Sequence, residues 1–173
     1  MASCFGYVPS SIPRGRRRGS LAQIDVPADR PAAALPEIPG VIRVHHVGIV
    51  VHDAEAAAET YQRALGLDPV ALEEFRGAAR VAFLHAGEML LELIQPLRDD
   101  TPWAAALRDR GEGPHHFALE VVDLREAVRV LVASGVDMLD VRPQRAPGNT
   151  LSVFLDPTAT GGTLIELVQQ IRT

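Results

Sequence analysis

Four side chains of this sequence are of the kinds that hold a metal ion, and they come in two matched pairs. His46 and His116 stand near the start of two apolar runs, VHHVGIVV (44–51) and PHHFALEV (114–121), while Glu92 and Glu166 stand inside two others, LLELIQ (90–95) and LIELVQ (164–169). If these runs are strands, side chains alternate across them, so Glu92 shares a face with Leu90 and Ile94, and Glu166 with Leu164 and Val168. A carboxylate in such surroundings is costly to desolvate unless a cation or strong donors compensate. One such glutamate reads as an exposed residue of an edge strand. Its recurrence in the equivalent strand, with a histidine recurring in the other, makes a shared site the better reading. Two neutral imidazoles and two carboxylates suit a divalent first-row ion or Mg²⁺ and leave octahedral positions open for water or substrate, which points to catalysis. A closed structural zinc site would use thiolates or local CxxC or HxxxH spacing, and none is present.

The elements that must position these residues are written twice. His46 to Asp53 and His116 to Asp123 span the same interval, and a helical pattern follows each: Ala54, Ala57, Ala58, Tyr61 and Leu65, then Leu124, Ala127, Val128, Leu131 and Val132. Asp53 and Asp123 stand at N-cap positions, and Gly66 and Gly135 stand where the helices should stop. Strands are expected at Pro69–Leu72, Ala79–Leu84 and Met89–Gln95 in the first copy, and at Val136–Val141, Leu151–Leu155 and Thr163–Gln169 in the second. The fold class is therefore α+β, with two tandem βαβββ modules at 43–96 and 114–170. The linker, 97–113, should carry one short helix capped by Thr101 with Pro102 at its first position. The two modules should pack together, or against copies in a second chain, because either alone leaves one sheet face bare.

The other histidines have plainer readings. On a regular strand His45 and His115 point to the face opposite the proposed ligands, as hydrogen-bonding support or as surface residues. His52 and His85, at a strand end and a turn, should be exposed.

Composition bounds the rest. Of the 173 residues 47% are hydrophobic and 23% charged, as in an ordinary globular protein, and no apolar run approaches the ~20 residues that span a bilayer. The single cysteine, Cys4, excludes an intrachain disulfide and fits a reducing, cytoplasmic setting. Five arginines against three acids give residues 1–40 a charge of +2 and leave −7 for the remainder of a chain of net −5, which argues against non-specific nucleic-acid binding. Residues 1–40, rich in proline and arginine, read as a disordered tail, with the folded domain at 41–173. The acid-free first 24 residues loosely resemble an organelle transit peptide.

With these motifs in place, the chain resembles the vicinal oxygen chelate superfamily, and within it the methylmalonyl-CoA epimerase family. The resemblance covers roughly 43–170 and rests on HHVGIVV (45–51), YQRALGL (61–67), LLELIQPL (90–97) with TPWAAAL (101–107), GEGPHHFALEV (111–121) and TGGTLIELVQ (160–169). It implies a cupped sheet around a divalent ion (Co²⁺, Mn²⁺, Mg²⁺, Zn²⁺ or Ni²⁺) held by His46, Glu92, His116 and Glu166. It also implies a homodimer acting on an acyl-CoA or related 1,3-dicarbonyl substrate, with Glu166 as ligand and base in removal of the α-proton. Three departures stand out. ARVAFL (79–84) has no acid where some members place a second glutamate, leaving Glu73, Glu74 or water for that role; Asp156-Pro157 replaces a His-Pro; and PGNT (147–150) replaces a glycine-rich basic stretch. The rival readings are a glyoxalase-like lyase or isomerase, an Fe(II) dioxygenase, and a metal-free module that binds small molecules.

Overall fold

A computed structural model describes residues 40–171; the expected tail at 1–40 lies outside them but for Gly40. The first module runs β1 (Val41–Val50), α1 (Ala54–Leu65), β2 (Pro69–Phe75), β3 (Ala79–Ala86) and β4 (Met89–Pro96). A connecting helix α2 (Pro102–Arg110) leads to the second: β5 (Gly113–Val121), α3 (Leu124–Ala133), β6 (Gln144–Ala146), β7 (Thr150–Phe154), a short 3₁₀ turn at Pro157–Thr160, and β8 (Ile165–Gln170). Among the described residues no helix is long and apolar enough to cross a membrane.

Local chemistry fixes the helix ends. Asp53 Oδ1 accepts from the backbone N–H groups of Glu55 and Ala56, both at 3.0 Å, and Asp123 Oδ1 from that of Glu126 at 3.0 Å. α1 stops at Gly66 in a left-handed conformation, φ +70°. Thr101 Oγ1 accepts from Ala104 N–H at 3.1 Å, with Pro102 just inside the helix. A further capping device repeats between the modules. The side-chain oxygens of Gln95 and Gln169, each closing the duplicated strand motif, accept from the first helical N–H groups, Ala54 at 3.2 Å and Leu124 at 3.0 Å. The glutamine shared by LLELIQ and LIELVQ thus ties each last strand to the helix of its own module.

All eight strands form one mixed sheet in the order β2-β3-β4-β1-β5-β8-β7-β6. Each module closes with its last strand parallel to its first, β4 on β1 and β8 on β5, and the modules join through the antiparallel pair β1–β5. The two copies therefore pair within one chain. Strand alternation divides the core. Ala82, Leu84 and Leu93 pack with Ala54 and Ala58 of α1 on one face, and Leu124, Ala127, Val128 and Leu131 of α3 cover Val153 and Leu167 in the other module. The opposite face carries Val81, Phe83 and Ile94, against which Leu90 and Trp103 pack. Gly148, in the β6–β7 turn, donates its N–H to Glu73 of β2 at 3.1 Å, so strands from the two ends of the sheet meet. That contact requires the sheet to curl into a cup.

One expected strand is absent. Val136–Val141 makes a single bridge, Met138 to Leu155, and the edge strand is the three-residue β6 instead. The segment is interrupted by Asp137 and Asp140; the Asp140 carboxylate turns back to accept from Arg142 N–H at 2.8 Å, and Leu139 and Val141 are exposed. An Asx turn followed by Pro143 breaks the ladder before it can extend.

Candidate metal centre

The β1–β5 register builds the site. His46 stands opposite Ala118 and Gly48 opposite His116, so each histidine faces a small residue of the other module. A β-carbon added to Gly48 would lie 2.2 Å from His116 Cε1 and 2.5 Å from its Nδ1; the glycine leaves the space that the ring fills. Gly48 and Ala118 occupy equivalent places in the two copies, a signal present in the sequence but visible only once the copies are paired. Phe154 meets the His116 ring edge-to-face, with centroids 5.5 Å apart, and limits its swing.

The four residues singled out from the sequence come together, each no more than 4% exposed. His46 Nε2 and His116 Nε2 are 3.0 Å apart, and Glu166 Oε2 lies 3.0 Å from the first and 3.3 Å from the second. Glu92 Oε1 is 3.4 Å from His46 Nδ1, and one donor atom each from His46, Glu92 and His116 fall within 4.8 Å of one another. Adjacent corners of an octahedron with bonds of about 2.1 Å are about 3.0 Å apart, the spacing of this triangle. Buried Glu166 Oε2 also has no hydrogen-bond partner among the described residues. Three donor atoms aimed at one another, one of them orphaned, fit a cation at their centre.

The carboxyl groups are driven in opposite directions. Burial, then the charges of Glu166 and Glu73, push Glu92 well above the carboxylate range. Burial also works to raise Glu166, but the adjacent His116 and His46 outweigh it and hold it at about 2. His46 is lowered, chiefly by burial. In the metal-free protein Glu92 therefore favours folding only while protonated, and that contribution is lost as pH rises through its elevated value. The metal-free Glu92→Gln variant is expected to unfold above wild type at pH 8, by about 1–2 kcal/mol or a few degrees, with the gap closing below pH ~4. Thermal unfolding between pH 4 and 9 checks this, and equal midpoints at pH 8 would remove the charge penalty assigned to Glu92.

The remaining residues fall as follows. His52 and His85 are exposed, as expected. His45 and His115 correct the expectation of opposite faces. His45 is only 6% exposed, and in both modules the two neighbouring histidines approach Nδ1 to Nδ1 at 2.9 Å. The cause is in the register: from Val44–Leu119 to His46–Ala118 β1 carries one extra residue, His45, and from Gly48–His116 to Ile49–Pro114 β5 carries His115. Each is the unpaired residue of a β-bulge, where strict alternation fails. Of the two acids considered for a second face, Glu73 pairs across the strands with Val81 and so shares the cup side, whereas Glu74 is exposed. A cavity of about 170 Å³ opens over the four residues, walled by Phe75, Ile94, Trp103 and Phe154, with Arg145 on its lining.

Residues 45–154 match the profile of the glyoxalase/bleomycin resistance protein/dioxygenase superfamily. The uncharacterized protein YqjC of Bacillus subtilis is 34% identical over 73% of this chain and 91% of its own length. The mitochondrial methylmalonyl-CoA epimerase of Bos taurus is 32% identical, covering 81% of this chain and 85% of the relative. Among solved structures, a Streptomyces coelicolor methylmalonyl-CoA epimerase variant in complex with 2-nitronate-propionyl-CoA superposes with a TM-score of 0.73 at 29% identity, covering 78% of this chain and 98% of the other.

Proposed function

The chain belongs to the glyoxalase/bleomycin resistance protein/dioxygenase superfamily, and from that premise we propose that it is a metal-dependent epimerase of 2-substituted malonyl-CoA-type thioesters. The observation that carries this reading is the buried triangle of His46 Nε2, His116 Nε2 and the orphaned Glu166 Oε2, with Glu92 alongside. These four side chains would hold a divalent ion. When bound, such an ion supplies positive charge to the oxygens of a 1,3-dicarbonyl substrate and so offsets the negative charge left when the α-proton departs.

The chain's own groups do the rest. Glu166, ionised at neutral pH, is in the form that accepts the α-proton. Phe75, Ile94, Trp103 and Phe154 give the cavity over the four residues apolar walls against which the reacting carbon would lie. Inversion needs a proton returned from the other side. Of the two acids considered, Glu73 shares the cup side across from Val81, and we assign it that return, directly or through water. The exposed apolar side chains Val41, Ile42 and Val44 of β1 support a homodimer, and the single cysteine supports a cytoplasmic location.

The test is exchange of the α-proton of 2-methylmalonyl-CoA with deuterated solvent by the purified protein, after elemental analysis. Exchange should fall at least about 100-fold on chelation and return with Co²⁺ or Mn²⁺. Bound metal without exchange would favour the lyase reading, and protein that binds no metal would favour a binding module.

A further inference from the structure

We propose that Ser152 is a specificity-determining residue: its hydroxyl donates a hydrogen bond to an oxygen on the 2-substituent of the substrate, so that the cavity favours malonyl thioesters with an alkoxy or hydroxy substituent over purely alkyl ones. The inference rests on the reading of the cavity as the acyl site of an epimerase.

The repeat supplies the comparison. In the first module Phe83 pairs with Glu92 and Val81 with Ile94, and in the second Phe154 pairs with Glu166 and Ser152 with Val168. Ser152 is thus the counterpart of Val81, and two copies that agree on the phenylalanine and the glutamate part company here. Val81 is fully buried with Ala79, Phe83 and Ile94 and does not line the cavity. Ser152 does line it, although the residue is only 5% exposed. A buried strand position favours valine over serine, so the hydroxyl is kept at a cost to the sheet.

Inside the protein that hydroxyl has no task. Thr150, on the same face of β7, donates its hydroxyl hydrogen to the Pro147 carbonyl at 3.0 Å, whereas Ser152 Oγ has no hydrogen-bond partner among the described residues. It is not sealed in either, because among the described residues the buried side-chain atom that is both closed off and unpartnered is Glu166 Oε2. A hydroxyl that is buried, unpaired and open to a cavity is a group available to a ligand.

Its setting says which part of the ligand. Ser152 follows Phe154 on the same face, about 7 Å along β7 from the level of Glu166, one step beyond the atoms that an ion would hold. Its burial sets it against the acyl group and not against the CoA arm, which must lead out to solvent. The other walls, Phe75, Ile94 and Trp103, are largely apolar and accept an alkyl substituent without help. One oxygen in the substituent satisfies the serine as well.

The experiment uses the full-length chain with Mn²⁺ and two esters of equal size, 2-methoxymalonyl-CoA and 2-ethylmalonyl-CoA, in which an ether oxygen replaces a methylene. The quantity compared is the ratio of their kcat/KM values for α-proton exchange with deuterated solvent, taken in each variant relative to wild type so that the intrinsic acidities cancel. Ser152→Val, the residue of the first module, and Ser152→Ala should each lower the preference for the methoxy ester about tenfold, and Ser152→Thr should keep it within about threefold. In the metal-free protein the alanine variant should unfold within about 2 °C of wild type, as expected of a hydroxyl with no partner in the fold. An unchanged ratio, or an equal loss on both esters, which would place the serine against the CoA arm or the chelated oxygens, would overturn the proposal. So would a drop of several degrees in the alanine variant, since the hydroxyl would then be serving the fold. If wild type exchanges neither ester the epimerase reading falls by itself, while calorimetric binding of the same two esters to wild type and to the alanine variant still decides the role of Ser152. Esters that neither exchange nor bind overturn both.

Discussion

Glu166→Gln is expected to slow solvent exchange of the α-proton by about 10³-fold or more at saturating Mn²⁺, since a positioned general base contributes roughly 10²–10⁴-fold. The amide keeps the shape of the side chain and an oxygen that can face an ion, but it cannot take a proton. Mn²⁺ affinity should fall far less than the rate, and that difference separates the role of base from the role of ligand. Glu166 is held at about 2, so its own titration adds nothing to the rate profile between pH 5 and 8. An acid limb is expected from Glu92, which burial pushes up and which must lose its proton before it can hold a cation. Exchange measured against pH, with binding measured in parallel, checks both statements. A glutamine variant that exchanges near the wild-type rate at saturating metal would mean that the base is another group.

The second large effect comes from a residue with no chemistry of its own. Gly48→Ala places a methyl carbon 2.2 Å from His116 Cε1, far inside van der Waals contact, and Phe154 blocks the ring on another side. Gly48 does not have a positive φ, so alanine meets no backbone strain, and the cost is steric. The ring must leave the triangle. Mn²⁺ affinity should drop by about 100-fold or more and exchange should fall below detection, while overpacking costs about 1–3 kcal/mol of stability and the sheet survives. Metal titration and thermal unfolding of the same preparation test this. Wild-type affinity in the folded variant would show that His116 has a second place from which to reach the site.

What could be read from the chain alone was what a repeat makes redundant. Asp53 and Asp123, Gly66, and the paired His and Glu of each copy signal twice, and duplication turned weak local cues into an architecture with a centre. The Val136–Val141 segment shows the limit: its apolar pattern suits a strand, but Asp140 prefers to bond its own backbone, and a hydrophobic pattern does not register that competition. The bulges at His45 and His115 were beyond reach because alternation is a rule of unbroken ladders, and a ladder breaks in response to the neighbouring strand. Gly48 was passed over for the same reason. Its meaning lies in the β1–β5 register, which sets it against a ring 68 residues further along the chain.

The central β1–β5 seam also orders events in time. His46 and Glu92 are synthesised first and His116 follows, but Glu166 comes only with β8, after most of the sheet has left the ribosome. A nascent chain can thus assemble a partial set of donors and no more. Glu166 joins the other three donors only when β8 docks beside β5, so on the proposed reading binding of an ion by all four would follow completed folding.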